Sequence, residues 1–391
     1  MNIVTITTLY PNEKQFRHGI FIETRLRHLV ATGEINARVI APVPWFPFKS
    51  KRFKHYAVYA DVPVFEKRHN IEIYHPRYLV IPKIGMLLTP FFMAFTLYKQ
   101  IKCLQKQQAI DLIDAHYFYP DGVAVALVNK LLKLPFVISA RGTDINLIPE
   151  YPLPRKMILW AAEQAATSVT VCKALKDSMI DMGAEAKKIH VYRNGVDLEL
   201  FCLLNKQQCR EKYQLKQKTL VSVGHLIERK GHHLIIEAMC VLPDYQLLIV
   251  GGGEQEIALK KLVQQLSLTH QVIFLGEQPQ SALPEIYNAA DAMILASSRE
   301  GWANVLLESM ACGTPVVATN IWGTPEVVQN SDAGILVERS ADMIAEGVKR
   351  LFKQYPKRVA TRQYAEQFSW ESTTQGLLAL FKTILKKKDK R

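Results

Sequence analysis

A chain of 391 residues is too long for one ordinary hydrophobic core, so two domains are expected. Apolar residues make up 49% and charged residues 22%, which excludes a disordered chain; six scattered cysteines with no Cys-x-x-Cys pair exclude a disulfide-dense scaffold and a zinc ribbon. The formal charge of +13 is uneven: residues 1–195 carry 26 Lys+Arg against 15 Asp+Glu, a net +11, while the last six residues alone supply +4 and leave the rest of the second half slightly acidic. The basic half calls for an anionic partner: nucleic acid, phospholipid headgroups or a phosphate-bearing substrate.

The opening residues, Met1 to Glu13, show no basic run before an apolar one, so they are read as a first strand rather than a secretory signal, and a cytoplasmic protein is expected. An apolar run at Ile3–Leu9 is followed by a polar loop and by Phe21–Val30 with helical spacing. Ala37–Ala41, Leu112–Ala115, Phe136–Ser139 and Ser168–Val171 read as strands separated by helix-length segments. The Asn194-Gly195 turn and the polar stretch Asn205–Lys218 mark an expected interdomain connection. A second alternating series then supplies strands at Thr219–Val223, Gln246–Val250, Val272–Leu275, Ala292–Leu295, Pro315–Ala318 and, shorter, Ile335–Val337. Ser369 is placed to cap a last helix whose apolar face holds Leu377, Leu378, Leu380, Phe381, Ile384 and Leu385. The pattern predicts an α/β protein of two Rossmann-like domains with a cleft between them, with ligands at the carboxyl ends of the strands.

Nucleic acid is set aside as the partner, since the chain has no helix-turn-helix signal, aromatic RNP pattern or zinc-finger spacing. In Trp45–Tyr56 basic and large apolar residues alternate, as suits either a membrane interface or a solvated loop. The most apolar run, residues 84–98, falls about five residues short of the roughly 20 that span a bilayer and contains Pro90, so a buried or interfacial helix is expected.

The densest chemical signal runs from Ser297 to Pro315. It follows a strand and ends in Gly313-Thr314-Pro315, which predicts a helix from near Asn304 to Cys312. The first-turn amides of Asn304, Val305 and Leu306 then lack intrahelical partners and, with the helix dipole, suit a phosphate. Glu308 lies about one turn inside the helix, where a carboxylate can accept two hydroxyls of a ribose diol, and Glu300 on the preceding loop can face another polyol. An oxidoreductase is disfavoured because no G-x-G-x-x-G follows the first strand.

Glu300-Gly-Trp-Ala-Asn-Val-Leu-Leu-Glu308, followed by Ser-Met-Ala-Cys-Gly-Thr-Pro-Val-Val, resembles the Glu-x7-Glu signature of retaining family-four glycosyltransferases. Thr8-Leu-Tyr-Pro-Asn with Gly19-Ile-Phe, Ala115-His-Tyr-Phe-Tyr-Pro-Asp-Gly122 and Arg141-Gly-Thr-Asp144 resemble the bacterial branch that builds lipopolysaccharide, capsule or teichuronic polymers. The resemblance implies the GT-B fold. Its N-terminal acceptor-binding domain would be residues 1–195, joined by a returning C-terminal helix, 371–391, and its nucleotide-sugar-binding domain residues 196–370. It implies transfer of a sugar, with retention, from a nucleotide-diphosphate donor to a lipid-linked saccharide, by a hexosyltransferase-type enzyme peripheral on the inner face of the cell membrane.

By the same resemblance Glu308 holds the donor ribose, Glu300 the sugar hydroxyls, and the amides of Asn304, Val305 and Leu306 the diphosphate. Lys230, in Gly224-His-Leu-Ile-Glu-Arg-Lys-Gly231, matches the family's phosphate lysine, and Gly252 lies in its glycine turn beside the nucleotide. His225 stands where the family has Arg, a departure for which Arg229 could substitute. Gly19 would let its loop approach the diphosphate. His116 is read either as the family histidine beside the sugar or as a core histidine, Arg141 and Asp144 as acceptor or sugar contacts, and Asp121 as a turn and helix cap. No Asp-x-Asp pair is present and no metal or cofactor is expected. Two other functions stay open at this level: a non-catalytic nucleotide-sugar-binding partner, towards which His225 leans, and a nucleotide-sugar epimerase on the same fold.

Overall fold

The computed structural model describes residues 1–16, 18–47, 55–81 and 85–388. The chain divides into two compact units, Met1–Arg193 with Glu371–Arg391, and Asn194–Trp370.

The first unit is built on an eight-stranded sheet. Its strands are β1 (Asn2–Ile6), β2 (Asn36–Ile40), β4 (Phe65–Arg68), β5 (Ile71–Tyr74), β7 (Leu112–His116), β8 (Phe136–Ala140), β9 (Thr167–Thr170) and β10 (Ile189–Val191). A separate pair is formed by β3 (Val43–Pro44) and β6 (Arg77–Tyr78). The order is β10-β9-β8-β7-β1-β2-β5-β4, parallel except for the antiparallel β4–β5 edge. β7 and β8 are buried along their whole length, as parallel strands covered on both faces must be. β1 stops at Ile6, three residues before the apolar run ends, because Thr7 and Thr8 turn into the loop that leads to α1 (Ile20–Ala31). The hairpin β4–β5, with His69 and Asn70 at positive φ in its turn, carried no periodic signal strong enough to be expected.

The apolar run at 84–98 begins one residue outside the described segment and lies in a longer helix, α2 (Gly85–Gln107), which contains Pro90. Proline lacks the N–H that would bind the carbonyl four residues back; the Tyr119 hydroxyl donates to that carbonyl, of Met86, instead. One face of α2 is buried through Met93, Leu97, Ile101 and Leu104, while Phe91 (51% exposed) and Phe95 (64%) face out. Among the described residues no helix is long and apolar enough to cross a membrane. Of Trp45–Tyr56, residues 48–54 lie outside the described residues; Trp45 is exposed beside β6, its N–H bonded to Tyr78 O at 2.7 Å. The C-terminal helix, Trp370–Lys388, starts directly after Ser369 and buries Leu377, Leu378, Phe381 and Ile384 in the core of this unit with Ile22, Leu26 and Leu29 of α1.

The second unit carries six parallel strands, β11 (Lys218–Val223), β12 (Tyr245–Val250), β13 (Val272–Gly276), β14 (Ala292–Leu295), β15 (Val316–Thr319) and β16 (Gly334–Val337), in the order β13-β12-β11-β14-β15-β16. This is the doubly wound order, whose switch point falls between β11 and β14. The polar stretch expected to link domains belongs to this unit: Asn205 caps the helix Lys206–Lys212, its Oδ1 accepting from Gln208 N–H at 3.2 Å. Capping ability and polarity look alike in sequence, which is why the stretch read as a linker.

Candidate active site

The two loops that leave the switch point of the second unit lie against each other. After β11 the chain makes a tight turn at Glu228–Lys230 and reaches Gly231 at φ 69°. A Cβ there would sit 2.2 Å from Ala296 O at the end of β14, so glycine is what lets the Lys230 loop rest on the Glu300 loop. Ser298 N–H donates to Arg229 O at 2.9 Å, and Arg229 Nη1 donates to Arg299 O at 2.6 Å.

This seam brings the side chains together. Lys230 Nζ lies 2.5 Å from Glu300 Oε1, Ser297 Oγ donates to the same oxygen at 2.7 Å, and Arg229 Nη1 is 3.8 Å from Oε2. Burial raises the Glu300 carboxyl, but the charge and hydrogen bond of Lys230, then Ser297 and Arg229, outweigh it and hold the group below the usual carboxylate range. Glu300 is therefore ionised and 8% exposed.

The predicted helix after the loop is α3 (Asn304–Ala311). It is held from its far end by α4 (Arg358–Glu366): Arg358 donates to Cys312 O at 3.2 Å and Arg362 to Ala311 O at 2.9 Å, filling carbonyls a helix C-terminus leaves open. Glu308, half-buried on α3, accepts from the Tyr287 hydroxyl at 3.1 Å. Burial pushes its carboxyl up to about 7, a rise the Tyr287 hydrogen bond only partly opposes. His225 is exposed on the β11 loop. Gly252 O accepts from Leu226 N–H at 2.9 Å, which lays the glycine run along that loop.

The first unit has its own switch point, between β1 and β7. The two loops are tied by Asp121, whose carboxylate accepts from Thr8 N–H at 2.5 Å and Thr8 Oγ1 at 3.0 Å. Beneath them lies a buried polar cluster. His116 Nε2 is 2.9 Å from Asp114 Oδ2 and 2.8 Å from Arg25 Nη1, Arg25 Nη1 is 3.5 Å from Asp114 Oδ2, and Arg141 Nη2 meets His116 Nδ1. Nδ1 faces only guanidinium donors, whereas Nε2 also faces the Asp114 carboxylate, so a neutral ring accepts at Nδ1 and carries its proton at Nε2, towards Asp114; the Arg25 approach to Nε2 is then a contact between two donors and not a hydrogen bond. Burial, with Arg141 and Arg25, pushes His116 down to about 3 against the pull of Asp114, so the ring is neutral. Burial and the neighbouring Arg25 likewise lower Arg141 to about 9. Among the described residues no group of three His, Cys, Asp or Glu is placed to hold a metal ion.

Two family descriptions match consecutive parts of the chain: "Glycosyltransferase Family 4" over residues 24–200 and "Glycosyl transferases group 1" over residues 205–368. Both descriptions are of glycosyltransferases, and together they match most of the chain. The teichuronic acid biosynthesis glycosyltransferase TuaC, so named in Bacillus subtilis strain 168, is 28% identical over 362 residues, 90% of this chain and 89% of that one. N-acetyl-alpha-D-glucosaminyl L-malate synthase of Bacillus anthracis is 28% identical over 240 residues, 60% of this chain and 62% of that one. Among solved structures, sucrose-phosphate synthase from Thermosynechococcus elongatus superposes with a TM-score of 0.82 at 18% identity, covering 98% of this chain and 99% of that one. HepE of Anabaena, solved with UDP-glucose, gives 0.73 at 19% identity, covering 98% and 100%. These likenesses show the GT-B fold: two Rossmann-like α/β domains with parallel sheets.

The structure gathers Lys230, Arg229 and Glu300 at one seam and places Glu308 on the helix that follows. Three expectations need correction. The three amides of α3 are not all open: Asn304 N–H is bonded to Trp302 O at 3.1 Å and Leu306 N–H to Ala303 O at 3.0 Å, because the loop tightens before the helix starts. Among the described residues the Val305 N–H has no backbone partner. Asp144 is fully buried and takes N–H groups from Phe118, Arg141 and Gly142 at 2.8–3.0 Å, so its carboxylate braces the loop instead of meeting a ligand. Asp121 caps no helix but ties the Thr8 loop. Gly19, expected to let its loop approach the diphosphate, is also required within its own unit: at φ 70° a Cβ would stand 2.2 Å from Leu9 O. His116, 1% exposed, sits among core charges with Arg141 over it.

Four participants were not anticipated: Arg25, Asp114, Ser297 and Tyr287. Two left a signal. Arg25 lies on the buried stripe of α1 with Ile22, Leu26 and Leu29, and Asp114 interrupts an otherwise apolar strand; a charge on a core face must have a buried partner. Tyr287 left none, because only the folded chain brings it to Glu308; Ser297 opens the stretch already singled out, but its bond to Glu300 depends on how that loop closes.

Proposed function

We propose that this glycosyltransferase moves a sugar, with retention, from a nucleotide-diphosphate donor to a lipid-linked saccharide in cell-surface polysaccharide synthesis. The observation that carries the reading is the meeting of Lys230, Arg229 and Glu300 at the switch point of the second unit, one helix start away from Glu308. Glu308 takes the ribose hydroxyls. Lys230, Arg229 and the Val305 amide take the diphosphate, with Gly252 beside the nucleotide. Glu300 takes hydroxyls of the sugar. UDP and UDP-glucose bound to HepE support this donor class.

In the step itself the bond from the anomeric carbon to the diphosphate oxygen breaks as the acceptor hydroxyl bonds to the same face, and the acceptor proton passes to the departing phosphate. Negative charge gathers on the diphosphate, where fixed cations and amides stabilise it most in a dry, preorganised site. That charge is assigned to Lys230 and Arg229, with no metal or cofactor, a reading supported by the absence of an Asp-x-Asp pair. The first unit presents the acceptor, with the half-buried Arg141 held by the neutral His116. A thermal-shift panel of nucleoside diphosphates and their sugars, followed by transfer assays on lipid-linked acceptors, tests the reading; stabilisation by none of them would refute it.

Glu308 supplies a pH signature. The folded chain raises this carboxyl from 4.5 to about 7, so it contributes stability that is full below about 4.5 and lost as pH rises through 7. Ribose hydroxyls donate to the ionised form, so nucleotide affinity should run the other way, falling up to roughly tenfold per pH unit below 7. Titration calorimetry between pH 5.5 and 8 on wild type and Glu308→Gln separates this from protonation of the nucleotide's own phosphate. The variant should bind more weakly and lose the extra slope.

The protein is placed on the anionic inner face of the cell membrane. Along α2 the exposed Leu87, Phe91 and Phe95 continue into Lys99, Lys102 and Lys106, an apolar stripe ending in cations, with Lys99 Nζ 4.2 Å from the Phe95 ring centre. Co-sedimentation with vesicles containing phosphatidylglycerol should exceed that with phosphatidylcholine alone and fall on adding 0.5 M salt. Replacing Phe91 and Phe95 with serine should cut it at both salt levels. Equal binding to both vesicle types would remove the electrostatic part of the argument.

A further inference from the structure

Lys230 has two anionic claimants in the proposed reaction, and the ligand-free structure shows which one holds it by default. Its ammonium lies 2.5 Å from Glu300 Oε1, with 16% of its side chain exposed, against a carboxylate that also receives Ser297 Oγ. Ser297 is fully buried and its own carbonyl is fixed by Thr319 Oγ1 at 2.7 Å, so Glu300 is anchored and Lys230 is the movable partner. Lysine is a point charge on a flexible stem and changes partners at low cost. A bound diphosphate draws the ammonium away only if Glu300 is compensated.

With the sugar nucleotide bound, sugar hydroxyls donate to Glu300 and supply that compensation. After transfer they leave with the acceptor. Glu300 is then a buried carboxylate facing a diphosphate, with Lys230 as its near cation and Arg229 farther off at 3.8 Å, and burying such a charge without its close partner is costly.

We propose that Glu300 has a second task besides holding the donor sugar: once the sugar has gone it recaptures Lys230 from the nucleoside diphosphate and so promotes product release. This rests on the function proposed above. It makes the site weak for the bare diphosphate and tight for the intact donor, through one shared cation.

Affinities of uridine and guanosine diphosphate, measured by calorimetry on the full chain, test it. Glu300→Gln keeps the shape and an acceptor for Ser297 but removes the charge that competes for Lys230. It should bind its preferred diphosphate about tenfold more tightly than wild type while losing transfer activity. In a Lys230→Met background the same substitution should gain much less, because only the more distant Arg229, 3.8 Å from Glu300 and tied to Arg299 O, is still shared. Ser297→Ala frees Glu300 to lean harder on Lys230 and should weaken diphosphate binding a few-fold, the opposite sign from a general loosening of the loop. Equal or weaker diphosphate binding by Glu300→Gln, where wild type binds measurably, overturns the release role and leaves the donor site standing. Failure of wild type to bind any nucleoside diphosphate overturns the donor site and the release role together.

Discussion

Lys230→Met should reduce sugar transfer about 10²–10³-fold, the usual cost of deleting one preorganised group from a developing oxyanion. The loss should fall mainly on kcat, because charge on the diphosphate is greatest in the transition state. The same change leaves Glu300, 8% exposed, without its 2.5 Å partner. Breaking a buried pair from one side costs about 3–5 kcal/mol, and Ser297 and Arg229 should keep this case at the low end. Melting of Lys230→Met and of Lys230→Met/Glu300→Gln separates the two effects. The double variant should regain most of the lost stability and none of the activity. A single variant with full turnover would remove Lys230 from the chemistry.

Asp114→Ala should be the most destabilising single change in the first unit. Asp114 faces Arg25 at 3.5 Å and the His116 ring at 2.9 Å, all within the core. Burial raises its carboxyl, but Arg25, His116 and Arg141 together hold it well below the ordinary range, so it stays charged wherever the protein is folded. Its removal strands a buried guanidinium, at a cost of about 3–5 kcal/mol, or roughly 10 °C in the melting transition of this unit. Asp114→Leu with Arg25→Met should recover much of that, since two apolar side chains of similar volume need no partner. Calorimetry with nucleotide present assigns the transition: a ligand of the second unit should raise that unit's melting and leave the Asp114 effect unchanged. An Asp114→Ala protein as stable as wild type would show that the cluster is hydrated and weakly coupled.

The two clusters differ in how far they could be read in advance. The Glu300–Glu308 stretch was legible because its chemistry is local: a strand, a loop and a helix start occur in sequence, and α3 begins at Asn304 as the spacing required. What that stretch touches was not legible. Lys230 and Glu300 are 70 residues apart, and their 2.5 Å contact exists because β11 and β14 are neighbours in the sheet and Gly231 allows their loops to close. Asp144 and Asp121 were misjudged for a related reason. Both sit in short helical turns after strands, among turn-forming residues where a carboxylate looks available, yet the fold turns backbone amides onto one and Thr8 onto the other.

Alternating apolar runs determined by themselves that the chain forms two parallel α/β units, because burial on both faces of a strand imposes that pattern residue by residue. Composition likewise determined that the first half is basic. Strand order, the partner of each buried charge and the closure of individual amides were decided by tertiary structure. These depend on which distant segments become neighbours, and an ion pair or hydrogen bond in a low-dielectric interior is set by distances of a few ångströms that no local spacing encodes.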